Sequence, residues 1–354
     1  HRPHRHGHIA RRGETMERRI VAVAASAAAG FAVAWYYVES RAKKAEARRS
    51  ELALELMRTR NRLMHSKDSV ENGQEGGGFT ARPTDVFVVT YPKCGTTWMT
   101  QIIHTLRTRG AAEHNQFGEI TEVVPWDILA IDCEQDLGAE QVASPRVFKS
   151  HEAYGDVIKG AKYVYVARNP EDAFVSFYKF LPPYMGLRGD DLTMEDFASS
   201  IFSGVSQSGQ IWHHFLGWWE RRNDPNVLWV FYEDMLADLD AEIARVAAFC
   251  EIPLDAELRA ITNEKASFKY MSAHGSQFDD HFVFDACKKR MGRADYERFT
   301  VGKVRKGGGK SGSSKAIPDS VTSNLKQKWA DVLAGPTGHA DYAALKAAVT
   351  AERG

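Results

Sequence analysis

The chain has 354 residues, and 44% of them are hydrophobic, so it can bury one large core or two modest ones. Its 46 basic and 46 acidic residues balance overall, but residues 1–67 hold 15 basic and 6 acidic ones, which leaves 31 and 40 in the remainder. A basic head on an acidic body argues against a general nucleic-acid binder and favours a membrane-facing terminus. Four cysteines without paired spacing argue against a disulfide scaffold.

The first 38 residues predict a leader followed by a membrane segment. Residues 1–19 are basic and lack a fold-forming pattern, so we expect disorder there, with Met16 as a candidate start. Residues 20–38 are an uncharged apolar run, which predicts a transmembrane helix or signal anchor, since spanning takes about 20 residues. Basic residues flank the run on both sides, so its orientation in the membrane is not determined. A cleaved signal peptide is the alternative, which would leave the body in the cytoplasm or in the secretory lumen.

Residues 39–78 predict a tether. A charged stretch indicates a helix that continues from the apolar run, and "SVENGQEGGGF" then indicates a flexible glycine-rich linker. We therefore expect the globular domain to occupy residues 79–354.

Within that domain, strand patterns alternate with helix patterns. The predicted strands are "DVFVVT", "RVFKSH", "AKYVYVA" and "VLWVFYE", and the predicted helices cover residues 96–109, 171–180, 207–222 and 238–250. Near-continuous β-branched and aromatic runs are typical of strands covered on both faces. The order predicts an α/β fold with a central parallel sheet flanked by helices. Polar residues follow each strand, at the edge where such sheets bind ligands.

The loop after the first strand indicates an anion site. A helix that begins after Gly95 offers unpaired amides and its positive dipole end, which suit a phosphate. Gly95 permits close approach of the backbone, Thr96 and Thr97 add hydroxyls, and Lys93 adds a charge. Because the lysine precedes the glycine, the loop differs from the common nucleotide loop GxxxxGK[ST]. A plain turn with a helix cap is the alternative.

Two further strand ends carry candidate chemistry. Arg168 closes the third strand with a fork of donors that suits a second phosphate, unless it pairs with Glu171 or Asp172. Lys149 and His151 lie two residues apart on one side of the second strand. His151 is a candidate general base whose pKa the neighbouring charge would lower, although a lone histidine is more often structural.

Four motifs in order resemble the sulfotransferases that use 3′-phosphoadenosine-5′-phosphosulfate (PAPS). "TYPKCGTTW" is similar to their 5′-phosphosulfate loop, "RNPEDAFVSFY" to their 3′-phosphate segment, "KSH" to their KTH motif, and "RKGG" at 305–308 to their RKG segment. The agreement covers roughly residues 79–320. It implies a P-loop-like sulfotransferase fold, PAPS as cofactor, no metal, no nucleic acid, and a small-molecule acceptor bearing a hydroxyl or amine.

The resemblance also implies roles for individual residues. His151 would be the general base, Lys93 and Lys149 would stabilise charge at the transferring group, and Phe180 would line the acceptor pocket. The implied contacts to the 5′-phosphosulfate are Lys93, Gly95, Thr96, Thr97 and Trp98. Those to the 3′-phosphate are Arg168, Ser176, Arg305, Lys306 and Gly307. Those to the adenine are Trp98, Tyr232, Ser267 and Phe268.

The chain departs from the family pattern in three places. Cys94 replaces the usual serine, as either an oxidation-sensitive thiolate or a near-isostere. Ala266 stands where the family often has threonine. After "RKGG" a Gly/Ser-rich stretch replaces the usual dimer-forming segment, so the oligomeric state cannot be carried over. A P-loop kinase and a membrane-anchored scaffold without catalysis are the competing hypotheses.

Overall fold

A computed structural model of the chain describes residues 7–189, 191–204, 206–294, 302–304 and 317–353, with the side chains of 7–20, 22–29 and 353 outside that description. The chain divides into two compact units, His1–Leu52 and Ala53–Gly354. The second unit contains the sheet and all of the predicted site residues that are described.

The sheet has four parallel strands. They are β1 (Val86–Val89), β2 (Val147–Ser150), β3 (Lys162–Ala167) and β4 (Val227–Phe231), in the order β2-β1-β3-β4. In this register Val88 lies opposite Lys149 of β2, and Val89 lies opposite Tyr165 of β3. Parallel pairing brings all four carboxyl ends to one edge of the sheet, as the sequence predicts.

Helices account for most of the remaining chain. In chain order they are α1 (Gly7–Met64), α2 (Lys67–Gly73), α3 (Thr96–Thr108), α4 (Pro170–Tyr178), α5 (Leu181–Tyr184), α6 (Met194–Phe202), α7 (Ile211–Trp219), α8 (Tyr232–Ala237), α9 (Leu239–Phe249), α10 (Ala256–Lys265), α11 (Phe268–Ala273), α12 (His281–Cys287), α13 (Asp319–Trp329), α14 (Gly335–Thr337) and α15 (Tyr342–Arg353). A π-helical turn, Ala330–Ala334, joins α13 to α14.

Apolar side chains cover the sheet on both faces, which explains why its strands read as continuous hydrophobic runs. Successive residues of a strand point to opposite faces. Phe87, Phe148 and Tyr165 belong to one buried cluster with the apolar residues of α7, while Val86, Val88 and Val147 belong to another with those of α3 and α9. The predicted α/β fold with a central parallel sheet flanked by helices is therefore confirmed.

The described residues of His1–Leu52 lie in helix α1. Where described, its apolar side chains are largely exposed, including Phe31, Trp35 and Tyr37. Among the residues that the structure describes, no helix has the length and apolar content needed to cross a membrane. The predicted segment at 20–38 falls partly outside that set, since side chains 20 and 22–29 are not described. The prediction of a transmembrane helix thus gains no support.

The predicted flexible linker is instead partly folded. Residues 67–73 form α2, which the Ser66 side chain caps by accepting from the amide of Ser69 at 3.2 Å. Gly73 packs so tightly that a Cβ there would lie 2.3 Å from the Asp127 carbonyl oxygen. Met57 and Met64 of α1 are buried in the same cluster as the sheet. The compact unit therefore begins at Ala53, earlier than the predicted residue 79.

Candidate active site

A cavity of about 440 Å³ lies where the four strands end. It gathers the segments that follow β1, β2, β3 and β4, together with residues from α4, α5, α11 and the stretch 302–304. The predicted site residues that line it are Lys93, Gly95, Thr96, Thr97, Trp98, Lys149, His151, Arg168, Ser176, Phe180, Tyr232 and Phe268. The three catalytic candidates therefore border one space.

The loop after β1 leads into helix α3 through Gly95. This residue is the N-cap with φ +106°, and as a glycine it has no side chain to cap the first amides of the helix. A Cβ atom at this position would lie 2.8 Å from the Tyr232 ring, so any residue other than glycine would displace that ring. Thr96 follows with its hydroxyl 2.5 Å from that of Thr90. The first residues of α3 therefore border the cavity.

Substituting Gly95 by alanine tests this arrangement. We expect Gly95→Ala to weaken binding of adenosine 3′,5′-bisphosphate (PAP), the desulfated form of PAPS, by roughly tenfold or more, because left-handed backbone costs alanine about 1–2 kcal/mol and the methyl group displaces Tyr232. Calorimetric titration measures the change. Gly155→Ala is the matched control, since its Cβ would meet nothing within 4 Å. Equal affinities of the two variants would contradict a role for Gly95.

Lys93 lies in the loop after β1 and contacts Phe180. Its backbone has φ +71°, and its ammonium lies 3.7 Å from the centre of the Phe180 ring. A cation over an aromatic face is attracted by the quadrupole of the ring. The Lys93 charge thus lies in the cavity lining, next to the aromatic side chain of Phe180.

Arg168 is 7% exposed, and among the described residues one of its N–H groups has no partner. One terminal nitrogen donates to the Lys93 carbonyl at 2.8 Å, and the guanidinium lies 4.2 Å from the centre of the Tyr232 ring. Its Nε is buried and finds no hydrogen-bond acceptor among the described residues. An unsatisfied buried donor costs about 1–3 kcal/mol, and an anionic oxygen bound in the cavity is one acceptor that would satisfy this nitrogen.

His151 follows β2 with a fixed tautomer. Its Nδ1 donates to the Thr90 carbonyl at 2.8 Å, and a carbonyl can only accept. The proton is therefore on Nδ1, and Nε2 carries the free lone pair. Burial, and then the charge of Lys149, lower the pKa of His151 well below its ordinary value of 6.5. At neutral pH the ring is thus a neutral proton acceptor.

Lys149 is buried beside His151. Its ammonium lies 3.7 Å from the centre of the Trp126 ring and 3.3 Å from a carboxylate oxygen of Asp280. The same tryptophan meets the His151 ring edge-on at 5.0 Å. Burial lowers the pKa of Lys149 to about 8, although Asp280 opposes the shift. Trp126 therefore packs against both catalytic candidates of β2.

Some predicted residues are placed differently. Ser267 is not among the residues that line the described cavity, and its hydroxyl caps α11 by accepting from the Tyr270 amide at 3.1 Å. Burial raises the pKa of Cys94 to about 12, which favours the thiol form. The Ala266 carbonyl accepts from the Trp98 indole at 2.8 Å. The predicted 3′-phosphate contacts Arg305, Lys306 and Gly307 lie outside the described residues.

Comparison with known proteins decides the family. Residues 83–301, more than half of the chain, match the family model described as "Sulfotransferase domain". This chain belongs to the sulfotransferase family. The predicted resemblance to PAPS-dependent sulfotransferases is confirmed.

Curated relatives match slightly more than half of this sulfotransferase. The rabbit (Oryctolagus cuniculus) amine sulfotransferase is 35% identical over 202 residues, which cover 54% of this chain and 64% of that protein, slightly under two thirds. The rat (Rattus norvegicus) sulfotransferase 1 family member D1 is 34% identical over 206 residues, which cover 56% of this chain and 69% of that protein.

Solved structures support the fold of this sulfotransferase. Retinol dehydratase, in complex with androsterone and the inactive cofactor PAP, superposes with a TM-score of 0.56 at 23% identity, covering 72% of this chain and 82% of that one. A mouse sulfotransferase complexed with PAP gives a TM-score of 0.53 at 20% identity, covering 77% and 90%. At such identities the likeness shows a shared sulfotransferase fold.

Sequence reasoning missed several residues that line the cavity of this sulfotransferase. They are Asn61, Met64 and His65 at the end of α1 and beyond, Trp126, Asp280 and Lys303. Lys303 lies two positions before the recognised "RKGG", so proximity to that motif was a usable signal. The residues at the end of α1 gave no such signal in the sequence. They precede the matched domain and reach the cavity only through tertiary packing.

Proposed function

We propose that this protein transfers a sulfuryl group from PAPS to a hydroxyl or amine of a small apolar acceptor. The observation that carries the proposal is that the free Nε2 of His151, the charges of Lys93 and Lys149, and the unsatisfied Arg168 all border one cavity. Two solved structures of the same fold are described with bound PAP, and one of the relatives is named an amine sulfotransferase.

The cavity residues suit a donor that carries two separated phosphates. The Gly95 turn and the amide end of α3, with Lys93, Thr96 and Thr97, would hold the 5′-phosphosulfate. Arg168 would use its unsatisfied Nε on the 3′-phosphate, with Ser176 nearby. Arg305, Lys306 and Gly307 remain proposed contacts to that phosphate. Trp98, Tyr232 and Phe268 would contact the adenine, whereas Ser267 is better explained as a helix cap.

His151 and the two lysines divide the chemical work. The bound donor supplies an activated sulfuryl group. His151 would accept the acceptor's proton at Nε2 while its Nδ1–H stays bound to the Thr90 carbonyl. Lys93 and Lys149 would stabilise negative charge that develops around the transferring group. Since lysine charges do this work, we expect activity without a divalent metal.

The apolar part of the cavity lining suits an apolar acceptor. Phe180 stacks on Tyr184 with ring centres 5.2 Å apart, and both side chains are almost fully buried. The neighbouring apolar lining residues are Ile128, Phe177, Leu181 and Met185. Such a wall, with few polar groups, favours a compact hydrophobic molecule whose single hydroxyl or amine reaches His151.

The pKa shifts predict the pH dependence of turnover. Because burial and Lys149 depress the pKa of His151, kcat/KM should stay flat as pH falls to 6.5 and decline only below that. Because Lys149 loses its charge through a pKa of about 8, kcat/KM should also decline as pH rises past that value. The measurement is a pH series with an acceptor that does not itself titrate in this range.

Two results would oppose that assignment. An acid limb at or above pH 6.5 would mean that another group is the base. Lys149→Met should abolish the alkaline limb, so an unchanged limb in this variant would remove Lys149 from the site. The limb in kcat should lie at higher pH than the limb in kcat/KM, since an anionic donor favours the charged lysine.

The function itself is tested by labelled sulfate transfer. Wild-type protein with ³⁵S-labelled PAPS and EDTA is offered phenols, sterols, amines and sugars, and we expect a labelled product with at least one apolar acceptor. PAP binding without transfer to any of them would favour the scaffold without catalysis. Transfer of phosphate from ATP would favour the kinase.

A further inference from the structure

Asp280 is a buried carboxylate that lies outside the four recognised motifs. Its side chain is 6% exposed and lines the cavity, at the residue before α12, where the backbone has φ +63°. One carboxylate oxygen lies 3.3 Å from the Lys149 ammonium, and the other forms an ion pair with Lys303. Although burial opposes the shift, these two lysines hold the pKa of Asp280 below its usual range. Asp280 is therefore an ionised bridge between two cations.

Lys303 connects this bridge to the donor loop. Its side chain is 11% exposed and lines the cavity, and its ammonium donates to the Thr97 hydroxyl at 3.4 Å. Thr97 stands in the first turn of α3, where the phosphosulfate is proposed to bind. An ammonium within reach of that hydroxyl is also within reach of an anionic oxygen held by the same turn.

The charges of the cluster match those of the donor. The cluster of Lys93, Lys149, Lys303 and Asp280 carries three positive charges and one negative charge, a net charge of +2; Arg168, Lys179 and Asp172 also line the cavity and are not counted in this cluster. A phosphosulfate carries two negative charges at neutral pH. Two further buried carboxylates, Glu119 and Asp127, also interact with these lysines, and burial raises the pKa of both, which disfavours their charged forms.

We propose that Lys303 is a further donor-binding cation, which contacts the sulfuryl end of PAPS. Asp280 is the positioning residue, which fixes Lys303 and Lys149 on either side of that sulfuryl group. This inference rests on the proposed function. The sulfuryl end is assigned because Asp280 joins Lys303 to Lys149, and Lys149 shares the Trp126 ring with His151. The bridge thus leads from the donor loop towards the proposed base.

A purely structural ion pair is the competing explanation. A buried pair gains little net stability, because the desolvation of both charges offsets their attraction. A lone buried carboxylate would also repel an anionic donor. With a lysine on each oxygen it instead keeps two flexible side chains in fixed positions, which favours the reacting geometry. The two explanations differ in what the variants do to donor affinity and to turnover.

The first test separates affinity for PAPS from affinity for PAP. Calorimetric titration of Lys303→Met should show about tenfold weaker binding of PAPS than in wild type, since a charge-assisted contact is lost, with PAP binding changed by no more than about twofold. Lys303→Arg keeps the charge and should restore most of the PAPS affinity. Lys288→Met is the control, because Lys288 forms an exposed pair with Asp285 nearby at 2.9 Å.

The second test concerns Asp280. Asp280→Asn should lower kcat about tenfold while PAP affinity is kept or raised, because the lysines lose their anchor but the site gains net positive charge. In the double variant with Lys303→Met, the losses in kcat should be clearly less than additive.

The outcomes are distinguishable. Failure of wild-type protein to bind PAP would overturn the proposed function. Wild-type binding with Lys303→Met indistinguishable from Lys288→Met would overturn the inference alone. Loss of melting temperature and of PAP binding together in Asp280→Asn, with additive effects in the double variant, would assign the cluster a structural role and also overturn it.

Discussion

Replacing His151 with alanine should lower kcat by about 10²–10⁴-fold, the usual contribution of a positioned general base. The affinity for PAP should change little, because the imidazole is proposed to contact the acceptor. The physical reason is the tautomer: the Thr90 carbonyl takes the Nδ1 proton, so Nε2 is the nitrogen free to receive another. Labelled sulfate transfer and calorimetry on the same preparation measure both quantities.

Two variants control for damage to the fold. His151→Gln keeps a donor for the Thr90 carbonyl but supplies no base, so it should fold well and remain slow. His104→Gln alters another buried histidine, in α3, which bonds to the His114 carbonyl at 2.7 Å and lies outside the cavity lining. His104→Gln should lower the melting temperature and leave kcat nearly unchanged. If His151→Gln retained wild-type kcat, His151 would be structural.

Replacing Arg168 should remove discrimination for the 3′-phosphate. We expect Arg168→Ala to weaken PAP binding by about 1.5–3 kcal/mol, which is roughly 10- to 150-fold, because a charged hydrogen-bond donor is lost. Adenosine 5′-monophosphate lacks the 3′-phosphate, so its affinity should be nearly unchanged. Calorimetric titration with both ligands gives the ratio directly.

The control for Arg168 is a buried arginine away from the site. Arg146 forms a buried pair with Asp85 and does not line the cavity, so Arg146→Lys should cost stability without changing the ratio of the two affinities. Arg168→Lys should recover only part of the PAP affinity, because lysine cannot reproduce the planar fork. Equal weakening of both ligands in Arg168→Ala would make Arg168 a structural residue.

The sheet and the donor loop could be predicted because their signals are local. Strands such as Val86–Val89 are buried on both faces, so each is a continuous apolar run whatever packs on it. The change from that run to Gly95 and the two threonines is equally local, and the parallel order fixes which edge the loops share. The positions of Lys93, His151 and Arg168 at one edge of the sheet thus follow from the sequence.

The parts that could not be predicted depend on tertiary packing. Asp280 is 131 residues from Lys149 along the chain, and no spacing rule connects them. Residues 67–73 are polar and glycine-containing, which is typical of a linker, yet contact with the segment around Asp127 makes them helical. Met57 and Met64 are two apolar positions in a charged stretch, and their burial follows only from the position of the core.

The most direct test of the account is calorimetric titration of the whole 354-residue chain with PAP, adenosine 5′-monophosphate, adenosine 3′-monophosphate and ATP. If the strand ends hold a donor by two separate phosphates, PAP should bind most tightly and each monophosphate should lose at least about tenfold. ATP should bind more weakly than PAP, with or without magnesium. ATP binding as tight as that of PAP, or PAP binding no tighter than that of the monophosphates, would contradict it.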